Sequence, residues 1–267
     1  MHKLHAFVGA LALTSIALAQ STANIPNPAV FAGGGSSGNI WRAGINRVQC
    51  FYDSTNFTGQ SIGAPITISG IEWRPIAAVA AAITYPSVDI YVQPAAVDFS
   101  TPSTTFANNR TVPFPTTPNY SGPVTVNAGA AGSYLINIPF TRPATYSPDS
   151  GQDLLVEIVI NTAPTPLTGT SMDCAFSNPA HLANSIRSVG STTALTGSAS
   201  AFAPVIRVTY ANVPGAASHL PYGSGCTTRA RSFYELFQGG TADLGGKTVS
   251  MQQNGIGGYV VTSAAGG

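Results

Sequence analysis

Residues 153–161 read Asp-Leu-Leu-Val-Glu-Ile-Val-Ile-Asn. Successive side chains of a strand point to opposite faces. Leu154, Val156, Ile158 and Ile160 therefore share one side, and Leu155 and Val159 flank Glu157 on the other. A short apolar run of this kind, bounded by Asp and Asn, predicts a strand in the centre of a sheet.

Working outward, the same period of two recurs. In Ile66–Pro75, Ile66 and Ile68 share a face, and Ile71 and Trp73 share one after Gly70. Val88, Ile90 and Val92 alternate with Asp89, Tyr91 and Gln93; Tyr134, Ile136, Ile138 and Phe140 are expected to point together. Further strands are predicted at 46–53, 123–128, 185–190 and 203–210, the last with Ile206, Val208 and Tyr210 on one side. Pro65, Pro75, Pro94, Pro139 and Pro143 suit strand ends, because proline cannot donate to a ladder. About eight to ten short strands without an intervening helix predict an all-β fold, an antiparallel β-sandwich of jelly-roll type.

The expected organisation is a signal peptide at 1–19, a flexible Gly/Ser-rich lead at 20–39, the sandwich at 40–211, a linker at 212–221 and a short β-rich partial module at 222–267. Lys3, an apolar run to Leu18 and the Ala17-Leu18-Ala19 ending are the parts of a secretory signal, with cleavage expected before Gln20. The run is short for a membrane span. The mature protein is accordingly expected outside the cytoplasm, secreted or at the cell surface. The final module has an apolar cluster at Phe233, Tyr234, Leu236 and Phe237, and candidate strands at 247–253 and 257–263.

Of 267 residues, 44% are hydrophobic and only 8% charged, with a formal net charge of +1. That composition is foldable. It offers no basic stripe for a phosphate backbone or an anionic membrane, so neither nucleic acid nor a bilayer surface is an expected partner. Among three cysteines, Cys50 and Cys174 are the preferred disulfide pair because Cys226 lies past the linker; other pairings and free thiols remain open. No Cys/His spacing suits a sulfur-ligated metal.

Three motifs carry a resemblance: Arg47, Gln49, Tyr52 and Asp53; Trp73-Arg74-Pro75; and Tyr146, Pro148, Gly151, Asp153, Leu154 and Leu155. Over about residues 40–211 the chain resembles an uncharacterised family of secreted β-sandwich proteins common in planctomycete bacteria. The tail is similar to a second module of those proteins that runs on into further β-structure, so a truncated product or fragment is expected here. The resemblance implies export and a sandwich, and brings no catalytic residue.

Candidate chemistry is sparse. Gly34-Gly35-Ser36-Ser37-Gly38 matches the GxSxG pattern, but a nucleophile elbow needs a strand before the serine and a helix after it. Past the signal only His181 and His219 remain as bases. Paired acids for glycoside hydrolysis would come from Glu72, Glu157, Glu235 and the aspartates Asp53, Asp89, Asp98, Asp149, Asp153, Asp173 and Asp243. Glu157 is the acid whose pKa burial would raise; the plainer expectation pairs it with an arginine such as Arg74 or Arg207. Asp149 and Asp153 around Gly151 suggest a weak Ca²⁺ site, although the same residues are ordinary turn formers. Trp41, Tyr52, Tyr91, Tyr120 and Tyr134 are candidates for stacking on sugars, against a plainer role in the core or scattered over the surface, while Trp73 is expected in the core. Asn56, Asn109 and Asn119 head glycosylation sequons.

The sequence thus predicts a non-catalytic extracellular structural or adhesive protein, with no catalytic or cofactor residue assigned. Extracellular polysaccharide or other surface proteins are the expected partners. A carbohydrate-binding module and a secreted hydrolase, tested through Glu157 and His181, are the alternatives.

Overall fold

The computed structural model describes residues 20–27, 35–37, 40–112, 117–176, 182–213, 241–243, 248–253 and 259–265. The chain divides into two units, the first ending at Val213 and the second beginning at Pro214.

The first unit contains β1 (Ser21–Ile25), β2 (Gly35–Ser37), β3 (Asn46–Tyr52), β4 (Ile66–Trp73), β5 (Ile83–Pro94), β6 (Tyr120–Val126), β7 (Ile136–Tyr146), β8 (Leu154–Ile160), β9 (Met172–Phe176), β10 (Ala183–Val189), β11 (Ser198–Ser200), β12 (Phe202–Pro204) and β13 (Ile206–Asn212). One sheet runs β1-β13-β4-β7, a second β11-β10-β3-β8-β5-β6, and a small third β12-β9-β2. The pairings are antiparallel. With β1, β3, β4, β5, β6, β7, β8 and β13 numbered one to eight, the two main sheets read 1-8-3-6 and 2-7-4-5. That is the doubly Greek-key order of a jelly roll. The fold is an all-β sandwich, with β8 in the interior of the larger sheet.

The core follows from alternation. Ala23, Val208, Ile71 and Ile138 lie in register across the smaller sheet, and Ile25, Ile206, Trp73 and Ile136 in the next row. All eight are buried. They meet Val48, Cys50, Tyr52, Val88, Ile90, Val92, Val156, Ile158 and Ile160 from the larger sheet. Trp41 fills one end, edge-on to Trp73 at 5.4 Å and to Tyr85 at 5.2 Å. Ile66 and Ile68 could not share a side with Ile71 and Trp73 in a regular strand, since an odd step reverses the facing. A bulge resolves this. The register of β4 shifts between Ile68 and Gly70 against β7, and β13 shifts opposite it between Thr209 and Tyr210. A β-carbon on Gly70 would lie 3.2 Å from the Ile138 carbonyl oxygen, so the glycine lets β4 and β7 approach closely at the bulge.

Three local expectations are corrected. The lead expected to be flexible supplies β1, whose Ala23 and Ile25 are buried, and the short strand β2. Pro139 and Pro143 lie inside β7 rather than at its ends, which is tolerated because β7 is a sheet edge. Tyr134 precedes β7 and leaves the face shared by Ile136, Ile138 and Phe140.

In the second unit β14 (Thr241–Asp243), β15 (Thr248–Gln253) and β16 (Tyr259–Ala265) form an antiparallel three-stranded sheet. The signal segment, most of the linker, Phe233, Tyr234, Leu236, Phe237, His181, His219 and Cys226 lie outside the described residues. Among the described residues no helix is long and apolar enough to cross a membrane.

Candidate functional site

The outer face of the larger sheet carries the odd side of β8. Glu157 there is completely buried. Arg47 Nε donates to its Oε1 at 2.8 Å, Arg110 Nε to its Oε2 at 2.8 Å, and Gln49 Nε2 to Oε2 at 2.6 Å. Arg110 Nη2 lies 2.6 Å from the same oxygen. Gln49 Nε2 also donates to the Phe106 carbonyl (3.0 Å), and its Oε1 accepts from Asn109 Nδ2 (2.8 Å). Arg47 Nη1 reaches the Ala194 carbonyl at 2.8 Å. The guanidinium of Arg47 lies 4.3 Å from the Phe106 ring centre and that of Arg110 lies 5.2 Å from Tyr91.

This network fastens two excursions to the sheet: residues 95–112, with a 3₁₀ turn at Phe106–Asn109, and the segment around Ala194. Beneath them Phe51, Ala95, Phe99, Phe106, Leu155 and Ile186 form a second small core. The arginine pairing expected for Glu157 exists, but with Arg47 and Arg110. Arg207 and Arg74, the partners expected from sequence, lie on the opposite sheet with other acids.

Asp153 has a similar task. Its carboxylate accepts the backbone N–H of Ser54 at 3.0 Å and of Phe99 at 2.6 Å, tying the ends of β3 and β5 together. Burial pushes its pKa up from 3.8 to about 6; the two amide bonds oppose the rise and the nearby Asp53 and Asp98 add to it. Gly151 in the left-handed region (φ 74°) closes the 3₁₀ turn Pro148–Ser150 that precedes it. Both oxygens of Asp153 are engaged by backbone, and among the described residues no three His, Cys, Asp or Glu side chains gather as metal ligands. Asp153 thus serves the scaffold, and Asp149 lies in the 3₁₀ turn before it.

Cys50 and Cys174 are both buried, and the expected bridge between them is not formed in the structure. Cys174 Sγ donates to the Met172 carbonyl at 3.4 Å. Burial, then the neighbouring Cys174, pushes the Cys50 thiol well above its usual range. Both sulfurs serve as small apolar fillers.

The candidate sugar-stacking aromatics divide by burial. Trp41 and Tyr52 are wholly inside, Tyr91 is 7% exposed beneath Arg110, and Tyr120, part-exposed and packed against the main core, donates its hydroxyl to the Pro123 carbonyl. Tyr134 sits among charged pairs. It is part-exposed on the outer face of the smaller sheet, where Asn24, Arg207, Glu72 and Asn137 stand in one cross-strand row. Its hydroxyl donates to Asn24 Oδ1 at 2.8 Å. Arg207 stacks 4.1 Å from its ring centre while bonding Glu72, and Arg74 lies 5.9 Å from the ring while donating to Asp173 Oδ2 at 2.7 Å. Burial raises the Tyr134 phenol, opposed by the two arginines. Asp173 Oδ1 is buried without a hydrogen-bond partner. Such an orphan acceptor costs roughly 1–3 kcal/mol.

Of the other expectations, Ser36 of the GxSxG match lies within β2, paired with Asp173 of β9, and not at a strand-to-helix elbow. Asn56 is 2% exposed and Asn109 0%, so a glycan on either is incompatible with this fold. Asn119 Oδ1 accepts the Val92 N–H at 2.7 Å. Among the described residues, surface hollows are open to solvent. One of about 260 Å³ is lined by residues such as Ala78, Val79, Pro166 and Thr170, and one of about 360 Å³ by Arg187, Ser188, Val189, Thr196, Gly197 and Ser198.

Comparison with protein-family models, with curated proteins and with solved structures returns no match to this chain.

Proposed function

We propose that this protein is a non-catalytic extracellular module, structural or adhesive, whose partner is an extracellular polysaccharide or another surface protein. One observation carries the reading: the buried carboxylates are committed to the scaffold. Glu157 is held by Arg47 and Arg110, Glu72 by Arg207, Asp173 by Arg74 and Asp153 by two backbone amides. A catalytic acid or base must be free to exchange its proton with a substrate, whereas these acids tie loops and strands together. The signal-like first 19 residues and the low charge support the extracellular setting.

The test has two arms. Expressed with its own leader, the chain should be recovered outside the cytoplasm beginning at Gln20, and should be retained on isolated cell-wall or matrix material. A panel of glycoside, ester and peptide substrates should show no turnover. Turnover that Glu157→Gln or Glu72→Gln abolishes without lowering the melting temperature would reverse the proposal in favour of a hydrolase.

A further inference from the structure

We propose that Tyr134 and the charged pairs around it form a binding subsite for a neutral, hydroxyl-rich sugar ring. This rests on the extracellular, non-catalytic reading and gives its polysaccharide partner a place to bind.

The chemistry comes from the arrangement. Arg207 with Glu72 and Arg74 with Asp173 make two pairs in which charge cancels locally, so the cluster has no net field to draw an anion or a cation. Each arginine is held by its acid, and Arg207 also lies against the tyrosine ring. Side chains held before a ligand arrives lose little freedom on binding. The set offers an aromatic surface, guanidinium N–H donors and the amides of Asn24 and Asn137. A sugar ring matches this inventory: it has an apolar face for Tyr134 and hydroxyls that both donate and accept. The rest of the row adds no opposing charge, since Asn24 and Asn137 lie at its two ends.

Isothermal titration of the secreted chain with cellohexaose and mannohexaose, and with hexagalacturonate as an acidic probe, tests this. At least one neutral hexaose is expected to bind at submillimolar concentration, with an affinity that salt does not change. Tyr134→Ala should weaken it tenfold or more, and Asn137→Trp, at an exposed position beside Glu72, should block it. Leu195→Ala, on a segment over the other sheet, should leave it intact. Absence of binding by both neutral hexaoses at millimolar concentration, binding by hexagalacturonate alone, or binding that survives both Tyr134→Ala and Asn137→Trp would overturn the inference. If Tyr134→Ala fails to fold, Asn137→Trp decides. Retention on matrix material that persists in Asn137→Trp would remove this site and leave the adhesive reading standing. Release of reducing ends from the hexaoses would remove the adhesive reading itself.

Discussion

Glu157→Gln removes one charge at the centre of the larger sheet while keeping the side chain's shape. It leaves Arg47 and Arg110, with side chains 7% and 0% exposed, facing each other across a neutral amide. Breaking a buried pair by removing one partner costs about 3–5 kcal/mol, because the remaining charge stays desolvated. A domain of this size loses about 2–4 °C in Tm per kcal/mol, so the expected fall is roughly 6–20 °C. Against a total stability of about 5–15 kcal/mol, that is a large fraction. The loss should be local first: residues 95–112 and the segment near Ala194 should become protease-sensitive before the sheets do, since Glu157, Arg47 and Gln49 hold them. Replacing Arg47, Glu157 and Arg110 together with methionine should recover most of the stability, because a fully apolar substitute leaves no orphaned charge. Thermal melts and limited proteolysis of the three proteins measure this. A Glu157→Gln protein that melts within about 4 °C of the parent, where a surface pair of 0–1 kcal/mol would place it, refutes the claim that this network fastens the loops.

The raised pKa of Asp153 has a definite sign. The folded state binds its proton near pH 6 and the unfolded chain near 3.8, so this group adds stability as pH falls through that window and loses it as pH rises; denaturation from pH 7 to 4 should show that limb in the parent and not in Asp153→Asn. Cys50 and Cys174 should resist alkylation near pH 8 in the folded protein and react once it is unfolded, as mass mapping will show; rapid native labelling of either would contradict their burial. A β-carbon on Gly197 would lie 2.6 Å from the Arg187 carbonyl oxygen and 2.8 Å from the Phe106 ring, so Gly197→Ala should cost about 1–3 kcal/mol in a chemical melt, and an unchanged midpoint would show the segment can yield.

The strands around β8 were legible because each buries a regular alternate row, and period two survives in the sequence whatever the strand pairs with. β1 and β2 were not: Ser21–Ile25 has few apolar side chains, and Gly35–Ser37 none, so neither shows alternation. They are strands because β13 and β9 offer them ladders. Alternation alone puts Tyr134 on the face of Ile136, Ile138 and Phe140, because nothing local marks where β7 starts. Asn56 and Asn109 read as sequons because their burial depends on distant groups such as Gln49.

By itself, the order of side chains determined an all-β sandwich, with Glu157 interrupting a strand that belongs at the centre of a sheet. Both follow from neighbours in the chain, through the two-residue repeat of an extended backbone. Tertiary structure alone decided which arginine meets which acid, that Arg47 and Arg110 rather than Arg74 and Arg207 reach Glu157, and that Tyr134 ends between two charged pairs. Glu157 and Arg47 are 110 residues apart, and Arg207 and Glu72 are 135. Contacts at such separations are set by jelly-roll strand order and register, which place residues remote in sequence on adjacent strands.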